Sequence, residues 1–279
     1  MANLFTFLRA HQTDPSKTLT PVPGSPYSGP GGAGQMALFH PSGNFLYVSF
    51  ASPNVVCAYA VGGSGNLTLV SPCYPTGGTG CYFLAVDPSG RFLYVTNYNS
   101  NNLTGWTINS STGALTSLGI VATMASSPIS LVEDRTGSLL FVAEGSSIIV
   151  YTIDPTFGTL TLASGPTLVG GASEWISVDP QNKYIIYASS GAGRGLYSFS
   201  FTSGGALSLI SGPITGTGTS YTTAVFDPSE SVLYSMSQVT NIMNVYPFNS
   251  STGVISAPTA LTANSTSFSI SAFITNYSQ

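Results

Sequence analysis

The stretch Asp87-Pro-Ser-Gly-Arg-Phe-Leu-Tyr-Val-Thr-Asn97 combines a tight turn with the strand that follows it. Asp87 can hydrogen-bond its own backbone two residues further on, Pro88 presets φ at the second turn position, and Gly90 suits the last one. The run Phe92–Val95 is aromatic and β-branched, which is typical of a buried strand. We call this turn and its strand the anchor.

The anchor occurs five times at nearly constant spacing. Besides the copy at Asp87, copies begin at His40, Asp134, Asp179 and Asp227, and successive first positions are 47, 47, 45 and 48 residues apart. A period of about 40 to 50 residues, made of short strands separated by turns, is the signature of a β-propeller blade. The sequence therefore predicts an all-β protein, a β-propeller built from four-stranded sheets.

The repeat also predicts how the two ends of the chain are used. Residues 1–30 contain no anchor and match the third and fourth strands of a later blade, while residues 263–279 supply one further strand. If the two ends share a blade, the ring closes and no sheet edge is left exposed. We expect a single domain over 1–279 with six blades, and seven as the alternative; the five complete blades are predicted at 31–78, 79–125, 126–170, 171–217 and 218–262.

The composition excludes several classes of partner. Charged residues make up 6% of the chain, against about 25% in a typical soluble domain. A net charge of −4 with six Lys plus Arg argues against nucleic acid, because no basic patch is available to neutralise phosphates. No apolar run is long enough for a membrane span, and residues 1–10 do not read as a signal peptide. No His or Cys cluster has metal-ligand spacing, so we expect neither a metal nor a cofactor.

Three cysteines allow at most one internal disulfide. Cys73 and Cys81 flank a glycine-rich loop and are the favoured pair, while buried free thiols, including Cys57, are the alternative. The chain also contains six Asn-x-Ser/Thr sequons, which permit glycosylation without showing it. They begin at Asn66, Asn102, Asn109, Asn249, Asn264 and Asn276.

The repeated Asp-Pro-Ser-Gly-x-Phe-Leu-Tyr-Val motif, the run Tyr94-Val-Thr-Asn97 and the segment Trp106-Thr-Ile-Asn-Ser-Ser-Thr-Gly-Ala-Leu-Thr116 resemble the YVTN-repeat, lactonase-type β-propellers over nearly the whole chain. The resemblance implies a propeller fold. For the 6-phosphogluconolactonase-like enzymes of that family it implies chemistry at the mouth of the central channel, usually seven blades, and a His, a Glu and Arg residues around the substrate. The only histidines here, His11 and His40, fall in turns on the opposite face. No histidine base can therefore be carried over.

Three other residues are candidates for chemistry. Glu144 and Arg194 fall between the second and third strands of adjacent blades, and Glu174 falls at the start of an inner strand, so all three are expected on the face where family active sites lie. A guanidinium beside two carboxylates could polarise a lactone carbonyl while one carboxylate activates water. The alternative is an ion pair that neutralises two buried acids.

The main expectation from these observations is a non-catalytic propeller, extracellular or at the cell surface, that acts as a structural or interaction protein. The nearly uncharged surface and the missing histidine motivate this hypothesis. Its partners would be copies of itself, joined into a filament by terminal-strand pairing, or a glycan. The alternative is a lactonase-type hydrolase with its site at the channel mouth. The contact residues expected for the main hypothesis are Leu4, Phe5, Phe7, Phe268, Ile270, Phe273 and Ile274.

Overall fold

The computed structural model describes residues 4–5, 8–9, 20–22, 24–31, 34–218, 221–227, 229–237 and 242–262. Within these ranges all regular structure is β-strand, which confirms the all-β prediction. The chain divides into two compact units, Met1–Thr123 and Met124–Gln279, called unit 1 and unit 2 below.

Unit 1 contains two antiparallel sheets in which consecutive strands are neighbours, together with two short strand pairs. One sheet has the order β5-β6-β7-β8, with β9 also pairing β7; the other has the order β10-β11-β12-β13; the short pairs are β1 with β4 and β2 with β3. The bounds are β1 (Leu4–Phe5), β2 (Leu8–Arg9), β3 (Thr20–Pro21), β4 (Tyr27–Ser28), β5 (Gly34–Phe39), β6 (Phe45–Phe50), β7 (Val55–Val61), β8 (Leu67–Leu69), β9 (Tyr74–Pro75), β10 (Cys81–Val86), β11 (Phe92–Asn97), β12 (Asn102–Ile108) and β13 (Leu115–Thr123).

Unit 2 contains three sheets of the same kind. Their orders are β14-β15-β16-β17, β18-β19-β20-β21 and β22-β23-β24-β25, with β26 also pairing β24. The bounds are β14 (Pro128–Glu133), β15 (Leu139–Glu144), β16 (Ser147–Ile153), β17 (Leu160–Leu168), β18 (Ala172–Val178), β19 (Tyr184–Ser190), β20 (Gly195–Phe201), β21 (Leu207–Ile214), β22 (Tyr221–Phe226), β23 (Val232–Ser237), β24 (Ile242–Asn249), β25 (Val254–Ile255) and β26 (Thr259–Thr262).

The second strand of each sheet, the anchor strand, is the most deeply buried element. Every residue of β6, β11 and β15 is buried, as expected for strands covered on both faces. Within unit 1, Tyr47, Leu93 and Trp106 belong to the apolar cluster between the two sheets. Alternating aromatic and aliphatic side chains therefore fill the space between neighbouring sheets, as stacked blades require.

An Asp carboxylate fixes the turn between the first and second strands in four of the five sheets. At Asp134, the backbone N–H groups of Ser138 and Leu139 donate to Oδ1 at 2.7 and 2.8 Å, and the N–H of Thr136 donates to Oδ2 at 3.1 Å. The same bonds from the residues four and five positions ahead are made to Asp87, Asp179 and Asp227. In each of these anchors, the carboxylate is thus joined to the following backbone N–H groups by charge-assisted hydrogen bonds.

His40 takes the place of the Asp in the first anchor, and its ring bonds the turn residue Ser42 and the next anchor. Its Nδ1 accepts from the N–H of Ser42 at 3.1 Å, and its Nε2 therefore carries the proton and donates to the carbonyl of Gly90 at 2.9 Å. Gly90 has φ +73° and no room for a Cβ beside the ring. The glycine of one anchor thereby lets the histidine of the preceding anchor bond across to it.

The disulfide differs from the predicted one. Cys57 is bonded to Cys73, with Cα atoms 4.3 Å apart, and Cys81 is a buried free thiol. The predicted Cys73–Cys81 pair is wrong because β9 returns onto β7, pairing Tyr74 with Val56 and so placing Cys73 beside Cys57. Burial raises the pKa of the Cys81 thiol to about 12, which keeps it protonated and unreactive.

The proposed sharing of one blade by the two chain ends stays a prediction. Residues 263–279 lie outside the described residues, and with them the expected contact residues Phe268, Ile270, Phe273 and Ile274. Phe7 also lies outside the described residues. Leu4 and Phe5 form β1, which pairs with Ser28 and Tyr27 of β4. Of the sequons, Asn264 and Asn276 also lie outside the described residues.

Replacing Asp134 with Asn should destabilise the protein, because both carboxylate oxygens accept backbone N–H groups and an amide would turn one acceptor into a donor. We expect a loss of about 1–3 kcal/mol in the free energy of unfolding at neutral pH, measured by urea denaturation. Burial acts to raise the pKa of the Asp134 carboxyl, but its hydrogen bonds lower that pKa overall. The stabilisation is therefore present above the unfolded-state pKa and is lost as the pH falls through the folded-state pKa.

Asp154→Asn is the matched control for Asp134→Asn. Asp154 is exposed, and its Oδ1 alone accepts the N–H groups of Thr156 and Phe157. The amide oxygen of an asparagine can accept the same two hydrogen bonds. Its stability should stay within about 0.5 kcal/mol of wild type. Equal losses in the two variants would show that the anchor carboxylate has no special role.

Cys73→Ala should lower the free energy of unfolding by about 3 kcal/mol, because the disulfide closes a loop with a sequence separation of 16. Adding a reductant should cost the wild type a similar amount and the variant little. Peptide mapping without reduction identifies the bonded pair directly. Recovery of a Cys73–Cys81 peptide would contradict the structure.

Candidate functional site

The three sequence-predicted site residues all lie in unit 2, at the end of its sheets opposite the anchor turns. Glu144 ends β15, Glu174 lies near the start of β18, and Arg194 lies in the turn between β19 and β20. We call this end the site face. It carries the starts of β14, β18 and β22 and the turns that follow β15 and β19.

A β-bulge determines where Glu174 points. In β18, Ser173 pairs with Ser189 and Trp175 with Ala188, so Glu174 is an extra residue without a partner in the ladder. A bulge bends the strand and re-aims the side chain it carries. The same irregularity occurs five residues before the anchor in every sheet, at Gln35, Tyr82, Ile129, Glu174 and Thr222. Glu174 is the acid among these five positions.

The carboxylate of Glu174 is held at one oxygen. The hydroxyl of Ser190 donates to its Oε1 at 2.5 Å, and no described residue donates to Oε2. Burial raises the pKa of the half-buried Glu174, and the Ser190 hydrogen bond offsets part of that rise. The site face therefore holds a carboxylate with one anchored oxygen and one available oxygen.

A tyrosine pair contacts Ser173, which precedes Glu174, and the turn before β20. The hydroxyls of Ser173 and Tyr187 are 2.6 Å apart, and the ring of Tyr187 packs edge-on against Tyr197, whose hydroxyl donates to the carbonyl of Gly193 at 2.6 Å. Burial raises the pKa of Tyr187 to about 12. Hydrogen bonds from two packed, uncharged tyrosines therefore hold both β18 and the turn before β20.

Glu144 is the more enclosed of the two candidate acids and is only 4% exposed. Its Oε2 accepts the backbone N–H of Ser126 at 3.3 Å. Burial raises its pKa, and the Ser126 bond opposes the rise. Glu144 lines a cleft of about 490 Å³ whose other lining residues are Ala125, Ser126, Gly145, Ser146, Ser147, Pro166, Leu168 and Ala172.

One backbone hydrogen bond joins the two acids' strands. The N–H of Ser173 donates to the carbonyl of Gly145 at 2.7 Å. Glu144 precedes Gly145 and Glu174 follows Ser173, so each acid is adjacent in sequence to one partner of this bond. The strands β14 and β18 also pack side by side. Glu144 and Glu174 therefore lie at the same end of neighbouring sheets.

Arg194 lies on the same face but does not pair with either acid. Its side chain is exposed, and its backbone N–H donates to the carbonyl of Gly191 at 3.2 Å. Within the described ranges, its guanidinium makes no ion pair or hydrogen bond with Glu144 or Glu174. The ion-pair interpretation of the three residues is therefore wrong; a serine hydroxyl and a backbone N–H hold the acids instead.

The remaining predicted sites are placed as follows. Asn102 is buried, and its amide accepts from Asn97 and donates to Ser100, so this sequon is not accessible for glycosylation and the candidate is wrong. Asn109 and Asn249 are exposed where strands end and turns begin, and Asn66 is half-buried. No group of three or more His, Cys, Asp or Glu residues suited to a metal ion occurs in the described part of the chain. The described residues also form no helix that is long and apolar enough to cross a membrane.

Sequence reasoning found the acids but missed what positions them. Ser190, the bulge and the cleft around Leu168 were not foreseen. One signal was present, since the five bulge positions repeat with the same spacing as the anchors. A lone acid in a series otherwise made of Gln, Tyr, Ile and Thr would have pointed to Glu174.

Comparisons with known proteins identify the family of this chain. The sequence model of the family described as lactonase, 7-bladed beta-propeller matches residues 10–132 and 39–175, together more than half of the chain. None of the curated proteins compared with this sequence matches it.

Solved structures show the fold. A protein from Lactobacillus plantarum is 18% identical, covers 88% of this chain and 75% of its own, and has a TM-score of 0.76. A periplasmic gluconolactonase of Pseudomonas aeruginosa is 14% identical, covering 81% and 69%, with a TM-score of 0.70. A Bacteroides uniformis protein described as a candidate 6-phosphogluconolactonase is 16% identical, covering 81% and 70%, with a TM-score of 0.70.

These findings confirm the β-propeller prediction and the resemblance, and they correct the functional expectation. The family match overturns the hypothesis of a non-catalytic structural or interaction protein and favours the lactonase-type alternative. The family description gives seven blades, the alternative to the six favoured by spacing; the expected partners and extracellular location stay predictions. The chain belongs to the lactonase family of seven-bladed β-propellers.

Proposed function

We propose that this protein hydrolyses a lactone on the site face of unit 2, with Glu174 as the general base. The observation that carries the proposal is the geometry of Glu174. It stands out of the strand ladder in a bulge, one oxygen is anchored by Ser190, and the other accepts no hydrogen bond from a described residue. Membership of the lactonase family supports the reaction class.

The reaction needs one proton acceptor and one donor. A lactone is a cyclic ester, so the free oxygen of Glu174 takes a proton from water while the water oxygen bonds to the carbonyl carbon. The resulting oxyanion collapses, the bond between that carbon and the ring oxygen breaks, and the ring oxygen takes the proton back from Glu174. The product is a hydroxy acid, and the carboxylate of Glu174 is regenerated.

Glu144 and Arg194 have supporting roles in this proposal. Glu144 lies on the same face, where its carboxyl group can hydrogen-bond a hydroxyl group of the substrate. The exposed guanidinium of Arg194, on the same face, is available to stabilise the oxyanion. In this arrangement no histidine is required.

Glu174→Gln should lower kcat/KM for lactone hydrolysis by about 10²–10⁴-fold, because the amide cannot accept the proton from water. The raised pKa of Glu174 places the acidic limb of the wild-type pH–rate profile above the ordinary pKa of a glutamate. Hydrolysis of a panel of five- and six-membered lactones, followed by acid release across pH, measures both effects.

Glu230→Gln is the control for this experiment. Glu230 lies in the anchor turn of the last sheet, where Oε2 accepts from Gln181 at 2.8 Å, at the opposite end from the site face. Its rate and profile should match the wild type. An unchanged rate in Glu174→Gln would remove Glu174 from the mechanism.

Glu144→Gln should stabilise the folded protein at neutral pH. The folded-state pKa of Glu144 is raised, so the charged form is disfavoured on folding, and stability falls as the pH rises from the unfolded-state pKa through the folded-state pKa. The urea midpoint of the variant should exceed that of the wild type at pH 7, and the difference should vanish near pH 3. A variant less stable than wild type at pH 7 would show that the charged carboxylate is favourably bound.

A further inference from the structure

The cleft lined by Glu144, called the Glu144 cleft below, contains a carboxylate oxygen that lacks a partner among the described residues. Glu144 is 4% exposed, and its Oε2 accepts the N–H of Ser126, whereas no described residue donates to its Oε1. Burial raises the pKa of this carboxyl group; the Ser126 N–H opposes the rise, and no described cation does so. An enclosed carboxylate that is only half satisfied costs free energy. The cleft therefore presents an acceptor that a ligand with a donor group can satisfy.

The charge of the cleft favours a cationic ligand. Among the described residues that line the cleft, Glu144 alone is ionisable. The pKa of the nearby Tyr151 is raised by burial and, to a smaller extent, by the Glu144 carboxylate. A carboxylate in a partly dehydrated cleft attracts a cation, and repels an anion, more strongly than it would in water. The donor that satisfies Oε1 is therefore expected to carry a positive charge.

The arrangement of acceptors suits a primary ammonium group better than the other common organic cations. A guanidinium bonds best to both oxygens of a carboxylate, and Oε2 of Glu144 is already occupied by Ser126. A quaternary ammonium has no N–H to donate and is usually held by aromatic rings. The described residues that line the cleft include no aromatic side chain.

Two serine hydroxyls can accept the remaining N–H groups of an ammonium. Ser126 and Ser146 both line the cleft and are exposed, and a hydroxyl oxygen accepts hydrogen bonds. Gly145, with φ +51°, lies between Glu144 and Ser146, and a Cβ built on it would come 2.8 Å from the Ser126 Oγ. The glycine therefore leaves the space that the Ser126 hydroxyl occupies beside Glu144.

Apolar side chains line the rest of the cleft. They are Ala125, Pro166, Leu168 and Ala172, all exposed, and Leu168 is 78% exposed. An alkyl chain lying on them would remove apolar surface from water on both partners. The cleft volume of about 490 Å³ is in the range of small-molecule sites.

We propose that the Glu144 cleft binds a small aliphatic primary amine, with the ammonium group on Oε1 of Glu144 and the alkyl chain against Pro166 and Leu168. The inference goes beyond the proposed lactone hydrolysis and does not depend on it, because it concerns binding alone. A bound amine would occupy the carboxyl group that the proposed function assigns to a substrate hydroxyl, so the tests are made without lactone.

The direct test titrates four probes into the wild-type protein at pH 8 and constant ionic strength, followed by NMR of the backbone amides. The probes are n-butylammonium, the neutral 1-butanol, the anion butyrate and butyltrimethylammonium, which has no N–H. An aliphatic amine stays protonated at this pH, since its pKa is about 10. We expect n-butylammonium to bind about tenfold or more tighter than each other probe, with perturbations at Ser126, Gly145 and Ser146.

Three results of this titration would overturn the inference. They are no detectable binding of n-butylammonium, binding of any other probe that is equally tight or tighter, and perturbations that spare the Glu144 cleft. Each of them would leave the proposed lactone hydrolysis untouched, because no substrate is turned over in the measurement.

Glu144→Gln tests the role of the carboxylate. The variant should bind n-butylammonium about tenfold or more weakly, because the amide carries no charge to pair with the ammonium. Glu230→Gln is the control, because Glu230 accepts from Gln181 in an anchor turn at the opposite end of its sheet, and it should keep the wild-type Kd. Unchanged binding in Glu144→Gln, or equal weakening in both variants, would contradict the site.

Leu168→Ser tests the position of the alkyl chain. In the wild type, each methylene added between methylammonium and n-butylammonium should tighten binding by about twofold to fourfold. Leu168→Ser should reduce that gain and leave methylammonium binding unchanged. Leu162→Ser is the matched control, because Leu162 lies on the same strand, is 62% exposed and does not line the cleft. The same dependence on chain length in both variants would contradict the placement of the chain.

Discussion

The hydrogen bonds from backbone N–H groups to the anchor carboxylate are the constraint on which the rest of the structure depends. Two consecutive N–H groups at the start of the second strand bond one oxygen of Asp87, Asp134, Asp179 or Asp227. These bonds determine where the second strand begins and hence its register with the first. In the four sheets with an anchor Asp, the bulge falls five residues before that Asp. The position of Glu174 on the site face follows from a turn at the other end of its strand.

The fold was predictable because its determinants are local and repeated. Asp-Pro-Ser-Gly specifies a turn by itself, and the Phe-Leu-Tyr-Val run specifies a buried strand. The disulfide was not predictable, because it depends on β9 pairing again with β7 and so on a fourth strand that is split in two. The placement of Glu144, Glu174 and Arg194 on one face followed from strand order alone. The Ser190 hydrogen bond and the Glu144 cleft depend on side-chain packing, which spacing does not reveal.

The functional expectation was wrong for a physical reason. It took the missing histidine and the low charge of the whole chain as signs that no catalysis occurs. Acid–base chemistry, however, requires a few groups in suitable surroundings rather than a charged surface. Burial alone raises the pKa values of Glu144 and Glu174, and a hydroxyl and a backbone N–H are enough to hold them.

The recurring bulge gives each sheet one equivalent position at which a side chain stands outside the strand ladder. Gln35, Ile129 and Thr222 occupy positions equivalent to Glu174, each an extra residue in the first strand of its sheet. A single codon change at any of them would present a different functional group from a different sheet, with the backbone already adapted to it. Gene duplication of such a module therefore multiplies the places where new chemistry can arise, at little risk to folding.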